Sequence, residues 1–363
     1  MRIVFKLCSL ALLLALSGCA DLGYYWQSVS GHLLLIHSAR PVDDWLADVQ
    51  TPEKLKTKLA LTQKIRSFAV SELKLPDNPS YQRYADLRRK AVVWNVVAAP
   101  KLSLTLKTWC FPVAGCVGYR GYFSEAEAKL EAERLEKQDL DVSVYGVPAY
   151  STLGWSNWAG GDPLLSTFIS YPEGELARIV FHELAHQVVY VPGDTAFNES
   201  FATAVERLGG ARWLARHGSE TAKAEYAAFD ARRRQFRALT QATRRQLTAI
   251  YLSNSHLTGD EYDSIAMKSI AIEEFKAAYQ QLKSSWGGYA GYDAWVAQSN
   301  NAAFGALAAY DDGVPQFEAL FAQQGHDWLK FYAAVQSLAA LPKEARQAIL
   351  NQYTGQPSKD KHG

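Results

Sequence analysis

The stretch HELAHQVVYVPGDTAFNESFATAVERLG, residues 182–209, carries the densest group of chemically active side chains in this sequence. It begins with two histidines four residues apart, His182 and His186, and Glu183 follows the first of them. On an α-helix, such residues lie about 40° apart around the axis, so both imidazoles face the same way. Two imidazoles at this spacing can hold one Zn²⁺, and a glutamate beside them can take a proton from water.

The residues before this stretch predict that the histidines lie on a buried helix. We expect the helix to begin at Pro172, capped by Ser170 and Glu173, and to continue to about Val189. Its other side chains are apolar almost all round, which is typical of a buried helix. Two histidines and a glutamate are costly to bury without a common partner, which favours a metal over histidines that only fill a core.

A catalytic zinc site needs a third protein ligand and keeps one position open for water. Three acidic residues downstream are candidates: Asp194, Glu199 and Glu206. Asp194 lies in a Pro-Gly-Asp-Thr turn, where an aspartate usually caps a helix. Glu199 and Glu206 are seven residues apart and share one helix face, so one can bind the metal while the other supports a histidine.

Residues 182–209 resemble the core of the gluzincin metallopeptidases, and among these the zinc aminopeptidases. The likeness lies in HELAHQ and in NESFATAVERLG, which correspond to HELAHQ and NEGFASxVExLG in those enzymes. It implies a zincin-like catalytic domain with one Zn²⁺, Glu199 as third ligand, Glu206 as its support and Glu183 as general base. This chain differs in having Ser200 for the usual glycine and a connection of 12 residues, 187–198, instead of about 18. Spacing alone would select Glu206 as the ligand.

The first residues predict export. A positive start precedes Leu7–Leu16, an apolar run too short to span a membrane as a mature helix. The residues Leu16-Ser17-Gly18-Cys19 resemble the lipobox of bacterial lipoproteins, which implies cleavage after residue 18 and stable anchoring through acyl chains on Cys19. Ala20 follows instead of an aspartate, which favours the periplasmic face of the outer membrane. The alternative is an ordinary secretory signal with an incidental cysteine.

Two further cysteines, Cys110 and Cys116, lie six residues apart in CFPVAGC. An exported compartment permits disulfides, so we expect a small loop closed by this pair. The alternative is half of a metal site. The formal net charge of +1 leaves no broad basic surface, so nucleic acid is not an expected partner.

The hydrophobic pattern predicts an α+β fold, with helices first, then a small mixed or antiparallel sheet, then mostly helices. Ser124 with Glu127 predicts a helix start between the strands. The predicted strands are VVWNVVAAP (92–100), KLSLTLKTW (101–109), DVSVYGV (141–147), AYSTLGW (149–155) and LLSTFIS (164–170). The predicted C-terminal helices are 219–252, 260–285, 292–310, 314–323, 326–338 and 343–352.

Several segments together, including the lipobox, CFPVAGC, AYSTLGW, GYAGYDAW (288–295) and NNA (300–302), resemble zinc aminopeptidase lipoproteins of Gram-negative bacteria. The likeness covers most of residues 19–340, in a family named largely for its zinc motif. We accordingly predict a signal peptide (1–18), a lipid-anchored helical region (19–90), an α/β zinc-binding core (91–210), a helical C-terminal subdomain (211–345) and a polar tail (346–363).

Peptide hydrolysis also needs a donor for the developing oxyanion. We favour Tyr292 or Tyr310, because they flank Asn301, an amide that can hold substrate, although packing is the alternative for each tyrosine. The predicted strand AYSTLGW can bind an extended peptide along its edge, and the alternative is ordinary sheet pairing. Its candidate substrate-binding residues are Tyr150, Ser151, Thr152 and Gly154.

The expected activity is that of a hydrolase, a zinc metalloprotease in which a zinc-bound water attacks a peptide bond with Glu183 as general base. An aminopeptidase must also bind a free α-amine, and the resembled enzymes do so with a glutamate about 30 residues before the histidines. The corresponding segment, Tyr150–Trp155, contains no acid. An envelope endopeptidase therefore remains an alternative, as does a non-catalytic lipoprotein with structural zinc.

Overall fold

Helices dominate the fold, as the sequence predicts. The computed structural model describes residues 22–111, 115–256, 261–311 and 313–353. Within them, no helix is long and apolar enough to cross a lipid bilayer. The helices are α1 (22–38), α2 (Val42–Ala47), α3 (Glu53–Ser71), α4 (Glu125–Glu136), α5 (Glu173–Ala185), α6 (Thr195–His217), α7 (Glu220–His256), α8 (Glu261–Ser285), α9 (Asp293–Ala297), α10 (Asn301–Asp311), α11 (Val314–Gln323), α12 (Trp328–Ala339) and α13 (Lys343–Gln352).

The strands form two small sheets and one hairpin. They are β1 (Arg40–Pro41), β2 (Arg83–Ala85), β3 (Val93–Pro100), β4 (Trp109–Phe111), β5 (Gly115–Val117), β6 (Arg120–Tyr122), β7 (Leu140–Val147) and β8 (Leu164–Leu165). The sheet order is β1-β2-β8 in one sheet and β6-β3-β7 in the other, and β4 pairs with β5. β3 and β7 are antiparallel from Val93–Val147 to Pro100–Leu140, which confirms the predicted antiparallel pair.

Two predicted strands are wrong, and a third, 164–170, is a strand only at Leu164–Leu165 and a turn over 166–170. Residues 101–108 form no strand, because the Lys101 carbonyl accepts from the side chains of Asn301 and Lys268 instead of from a neighbouring strand. Residues 149–155 form turns, because the backbone N–H of Thr152 donates to a side chain, that of Asp162, instead of to a neighbouring strand.

Two of the three predicted helix caps, Ser124 and Asp194, are present. Ser124 caps α4 by accepting from the N–H of Glu127, as predicted. The histidine helix differs, because Pro172 is its N-cap without a side-chain hydrogen bond from Ser170, and its regular turns end at Ala185. The predicted helix 292–310 is divided into α9 and α10, since the Asn300 side chain accepts from the N–H of Ala303 and starts a new helix.

The largest buried apolar cluster draws on chain segments from Leu35 in α1 to Leu350 in α13. It therefore includes residues from the predicted N-terminal region, the core, the C-terminal subdomain and the first part of the predicted tail. A second cluster lies between α7, α8 and α10, and a third packs α4 on the β6-β3-β7 sheet. The predicted domain boundaries stay a prediction.

The two helices of the opening stretch, α5 and α6, pack antiparallel across the main cluster. At one end Trp213 donates its indole N–H to Glu173 across 2.9 Å, and at the other Glu199 lies against His186. Gly209 permits this approach, because a Cβ there would lie 3.0 Å from the ring of Phe181 on α5. The carboxylates of α6 thus face the histidines of α5.

The Cys110–Cys116 disulfide is present and joins β4 to β5, as predicted, with 3.9 Å between the Cα atoms. The hairpin lies against the backbone of Pro192 and Gly193, in the connection between α5 and α6. A Cβ at Gly115 would be 2.5 Å from the backbone nitrogen of Gly193. Cys19 and the predicted signal peptide lie outside the described residues.

Candidate metal centre

Three side chains converge where α5 ends and α6 begins. His182 lies in the last turn of α5, His186 is the residue that ends this helix, and Glu199 lies in the second turn of α6. The two histidine Nε2 atoms are 3.2 Å apart, and the carboxylate oxygens of Glu199 lie 3.3 Å from that of His182 and 3.8 Å from that of His186. One possible ligand atom from each residue lies within 4.8 Å of the others.

This arrangement fits one zinc ion. Two nitrogens at the usual Zn–N distance of about 2.0–2.1 Å lie about 3.3 Å apart in a tetrahedral site, close to the 3.2 Å between His182 and His186. Imidazole nitrogens facing each other at this distance need a shared proton or cation between them. Burial lowers the pKa of His186 to about 4, which keeps its ring neutral and its nitrogen able to bind a metal.

Glu206 supports the first histidine from behind. One of its carboxylate oxygens lies 3.1 Å from Nδ1 of His182, and the other accepts from the guanidinium of Arg178. Burial alone would raise the pKa of Glu206, but Arg178 and His182 together lower it to about 2. Glu206 is thus a permanent anion beside the ring nitrogen that faces away from Glu199, the position expected for a residue that orients a metal ligand.

Arg178 was not predicted from the sequence as a residue of this site. It is 5% exposed and lies one turn before His182 on α5. Besides Glu206, its guanidinium has Glu175 and Asp230 at 4.0 Å. The available signal was an arginine in an otherwise apolar helix, four residues before a metal-ligand candidate, since a buried guanidinium needs carboxylate partners.

Glu183 has the properties of a proton acceptor at neutral pH. Burial raises the pKa of its carboxyl to about 7, with His182 opposing the rise and Glu199 and Asp162 adding to it. A base is most effective when its pKa lies near the working pH. Glu183 follows His182 directly on α5, and its carboxyl is near enough to the charges of His182, Glu199 and Asp162 for them to shift its pKa.

The short connection between the second histidine and Glu199 determines which glutamate lies near both histidines. Residues 186–189 form a turn, and α6 begins soon afterwards at Thr195. The Asn198 side chain holds this connection in place through two hydrogen bonds to Val191. It accepts from the N–H of Val191 and donates to the Val191 carbonyl, both across 2.8 Å. Glu199 therefore reaches both histidines, whereas Glu206, two turns further along α6, lies behind His182.

Asp194 is a helix cap, as predicted, and no part of the ligand group. Its carboxylate accepts from the N–H of Phe197 at the start of α6 and pairs with Arg346 of α13 across 2.5 Å. Both side chains are buried. The start of α6, one turn before Glu199, is thereby attached to the last described helix.

The predicted peptide-binding segment, 149–155, forms a loop beside Gln187, the residue after His186. Asp162, 1% exposed, accepts from Ser151, from the backbone and hydroxyl of Thr152 and from Ser156. Gln187 donates to Asp162 across 3.5 Å. The hydroxyls of Ser151 and Thr152 are thus bound within the loop.

The other two members of that segment also have structural contacts. Gly154 has a positive φ of +83°, and a Cβ there would lie 3.6 Å from Oε1 of Gln187. The ring of Tyr150 packs against His32 and Phe123, with ring centroids 5.7 and 5.4 Å apart. The four residues therefore shape a loop beside the ligands, not an edge strand.

Two of the predicted C-terminal residues serve packing. Tyr292 stacks on Phe236 with 4.0 Å between ring centroids, in the cluster of α7, α8 and α10. Asn301 is fully buried, accepts from the hydroxyl of Tyr251, and donates to the carbonyls of residues 100 and 101. Tyr310 belongs to α10, but its side chain lies outside the described part of the chain.

Different tyrosines lie near the ligands. Burial, together with the charge of Glu199, raises the pKa of Tyr119, Tyr145 and Tyr190. The Tyr190 ring also contacts that of His186, with 6.5 Å between centroids. Of the three, Tyr190 was open to inference from the sequence, since it follows the second histidine by four residues.

Comparison with known proteins agrees with a peptidase. The chain matches the sequence profile of a family described as "Putative aminopeptidase" over residues 23–350. No curated protein and no solved structure matches the chain. Because the match includes both helices of the candidate metal centre and most of the 363 residues, this chain belongs to the putative aminopeptidase family.

Proposed function

We propose that this chain is a zinc-dependent peptidase in which His182, His186 and Glu199 hold one Zn²⁺ and Glu183 is the general base. The observation that carries the proposal is the convergence of two imidazole nitrogens and a carboxylate on one point, beside a buried carboxyl with a pKa of about 7. The ion, when bound, would acidify a water molecule and polarise a peptide carbonyl.

The protein groups supply the proton transfers and the orientation. Glu183 takes the proton from the attacking water and returns it to the departing amine. Glu206, held by Arg178, accepts the Nδ1 proton of His182, which leaves the Nε2 lone pair directed at the metal. The hydroxyl of Tyr190, whose ring contacts that of His186, keeps its proton at neutral pH and is the candidate donor to a developing oxyanion.

The family name supports an aminopeptidase, whereas one observation favours an endopeptidase. Asp162, the acid of the loop around Gln187, is buried and already accepts several hydrogen bonds, so its carboxylate is occupied before a substrate α-amine arrives. Peptides of one sequence, with free and with acetylated N-termini, separate the two activities. An aminopeptidase cleaves only the free peptide and removes its first residue.

Residues 16–19 support a further proposal, that the mature protein is anchored through acyl chains on Cys19 at the periplasmic face of the outer membrane. Metabolic labelling with an alkyne fatty acid should mark the wild type and leave Cys19→Ala unlabelled. Fractionation of the labelled cells then reports which membrane holds the protein.

The decisive experiment replaces Glu183 by glutamine. Glu183→Gln should bind one zinc per chain like the wild type, and its kcat should fall at least about 100-fold, because general-base catalysis contributes that much or more. A matched control is Glu220→Gln, an exposed glutamate paired with Lys223. If Glu183→Gln retains zinc and full peptidase activity, the mechanism is wrong. If wild-type zinc has four protein ligands and no peptide is cleaved, the metal is structural.

A further inference from the structure

Helix α1 presents its apolar side chains to solvent. Leu22, Tyr25, Trp26, Val29 and Leu33 are 42–75% exposed. At 100° per residue these five fall within an arc of about 100° on one side of the helix. We name them the α1 stripe.

The opposite side of α1, which contacts the protein body, is partly polar. Gln27 donates to the carbonyl of Gly121 across 3.3 Å and accepts from the N–H of Phe123 across 3.0 Å. Gly31 lies against the Phe123 ring, and Leu35 is buried in the main cluster. A helix on a water-exposed surface normally has apolar residues inward and polar residues outward, whereas the outer side of α1 is apolar as well. The stripe therefore calls for an apolar partner outside the chain.

The length and charge of α1 narrow the choice of partner. Residues 22–38 contain no aspartate, glutamate, lysine or arginine, so no charged side chain on this helix opposes contact with hydrocarbon. At 1.5 Å per residue the helix is about 26 Å long, and it does not qualify as a membrane span. Tryptophan and tyrosine, as at Trp26 and Tyr25, are the side chains enriched at the water interface of bilayers.

The chain outside the described residues also points to a membrane. The segment before α1, residues 1–21, contains the apolar run Leu7–Leu16 and Cys19. Two residues, Ala20 and Asp21, separate Cys19 from Leu22, so the two Cα atoms are at most about 10 Å apart. Whatever holds residue 19 at a bilayer holds the start of the stripe at its surface.

We propose that α1 lies in the plane of the membrane interface, with the α1 stripe inserted among the lipid headgroups and upper acyl chains. The stripe binds lipid on its own, so acyl chains on Cys19 and the stripe are two separate attachments. Together they fix the orientation of the protein on the bilayer, which a flexible acyl tether alone does not. The loop of Asp162 next to the metal centre is tied to this helix, because Arg83 donates both to the Ile36 carbonyl and to that of Ala159.

The test uses the chain from residue 20 onward, which lacks Cys19 and retains every described residue. It is mixed with vesicles of phosphatidylethanolamine and phosphatidylglycerol, and separately with phosphatidylcholine vesicles, and bound protein is measured by flotation. We expect binding to both, and binding that persists in high salt, because the stripe carries no charge. Blue-shifted fluorescence that disappears in Trp26→Phe would place Trp26 in the bilayer.

The matched variants replace equal numbers of exposed apolar residues. Trp26→Ser, Val29→Ser and Leu33→Ser combined should lower the partition coefficient by about 100-fold or more, since apolar transfer drives interfacial binding. The control combines Val49→Ser and Leu130→Ser, which lie outside α1 and are 85% and 63% exposed, with Leu329→Ser, and should bind like the wild type.

Three results would overturn the proposal. They are a wild-type chain that stays unbound with vesicles, a stripe variant that binds as well as the wild type, and a wild-type dimer in ultracentrifugation that the stripe variant loses. The last result would assign the stripe to a second copy of the chain. Peptidase activity on a soluble peptide should be equal in all variants, so failure here leaves the proposed function untouched.

Discussion

Arg178 and Glu206 form a buried ion pair directly behind the candidate metal centre. The carboxylate of Glu206 uses one oxygen for this guanidinium, while the other lies 3.1 Å from Nδ1 of His182. The chain of contacts from Arg178 through Glu206 to His182 fixes which ring nitrogen is left for a metal. Under the proposed function, Arg178 is a positioning residue that acts on His182 from one helical turn away.

Replacing Arg178 should weaken metal binding without changing the ligands. We expect Arg178→Met to lower zinc affinity about 10- to 100-fold, the usual effect of losing an outer hydrogen-bond partner of a ligating histidine. Zinc competition with a chromophoric chelator measures this. Arg212→Met is the control, because Arg212 lies on α6 and pairs with Glu72 at the surface, and this variant should retain wild-type affinity. Equal affinities of Arg178→Met and wild type would remove the positioning role.

The two glutamates of α6 should respond differently to the same change. Glu199→Gln is expected to abolish stoichiometric zinc binding at micromolar metal, since one of three ligands loses its charge. Glu206→Gln should still bind one zinc, with affinity reduced about 10- to 100-fold. Metal content after dialysis, measured by atomic emission, distinguishes them. The reverse order would assign the ligand to Glu206, as spacing alone suggests.

Ser200 occupies a site where the resembled peptidases have glycine. Gly313, which has no side chain, leaves the space that the Ser200 side chain needs. A Cβ on Gly313 would lie 2.7 Å from the Ser200 hydroxyl. Gly313→Ala should therefore destabilise the protein by about 1–3 kcal/mol through overpacking. In the Ser200→Gly background the same change should cost less than half as much, giving a favourable coupling in a double-mutant cycle. Urea unfolding measures all four free energies, and strict additivity would contradict the contact.

The Asp194–Arg346 pair should stabilise the start of α6. Arg346→Met leaves a buried carboxylate without its charged partner and should lower the free energy of unfolding by about 3 kcal/mol or more. The control is Arg207→Met, whose partner Glu318 is 36% exposed and whose loss should cost about 1 kcal/mol or less. Urea denaturation of the two variants compares the losses. A similar small loss in both would mean that the buried pair contributes little.

Acidification should loosen the contact between α1 and the loop of Tyr150. Burial lowers the pKa of His32 below its ordinary 6.5, and the charge of Asp162 opposes this only in part. The unfolded chain then binds the proton first, so stability falls as the pH drops below about 6.5 and levels off below the folded pKa. Between pH 7 and 5, the melting temperature of His32→Phe should fall less than that of the wild type, because the phenylalanine of the variant does not bind a proton. If the melting temperatures of the wild type and the variant depend on pH in the same way, His32 does not contribute to the acid sensitivity.

Much of the fold is local in origin and was open to prediction. The two histidines share a helix face because of the 3.6-residue period, and the α4 cap, the disulfide hairpin and the length of β3 follow from neighbouring residues. The predicted strands at 101–109 and 149–155 failed for the opposite reason. Their backbone groups bond to side chains far away in sequence or on another turn, which an alternating pattern does not reveal.

The sequence by itself determined the donor types of the site and their places on two successive helices. Only the tertiary structure decided which glutamate faces both histidines, because that depends on the antiparallel register of α6 on α5 and on the Asn198 clamp of the short connection. It also placed the Tyr292 ring against Phe236, Tyr190 near Glu199, and Arg178 behind His182. Periodicity acts along one helix, whereas a metal site is assembled from side chains whose distances depend on how helices pack.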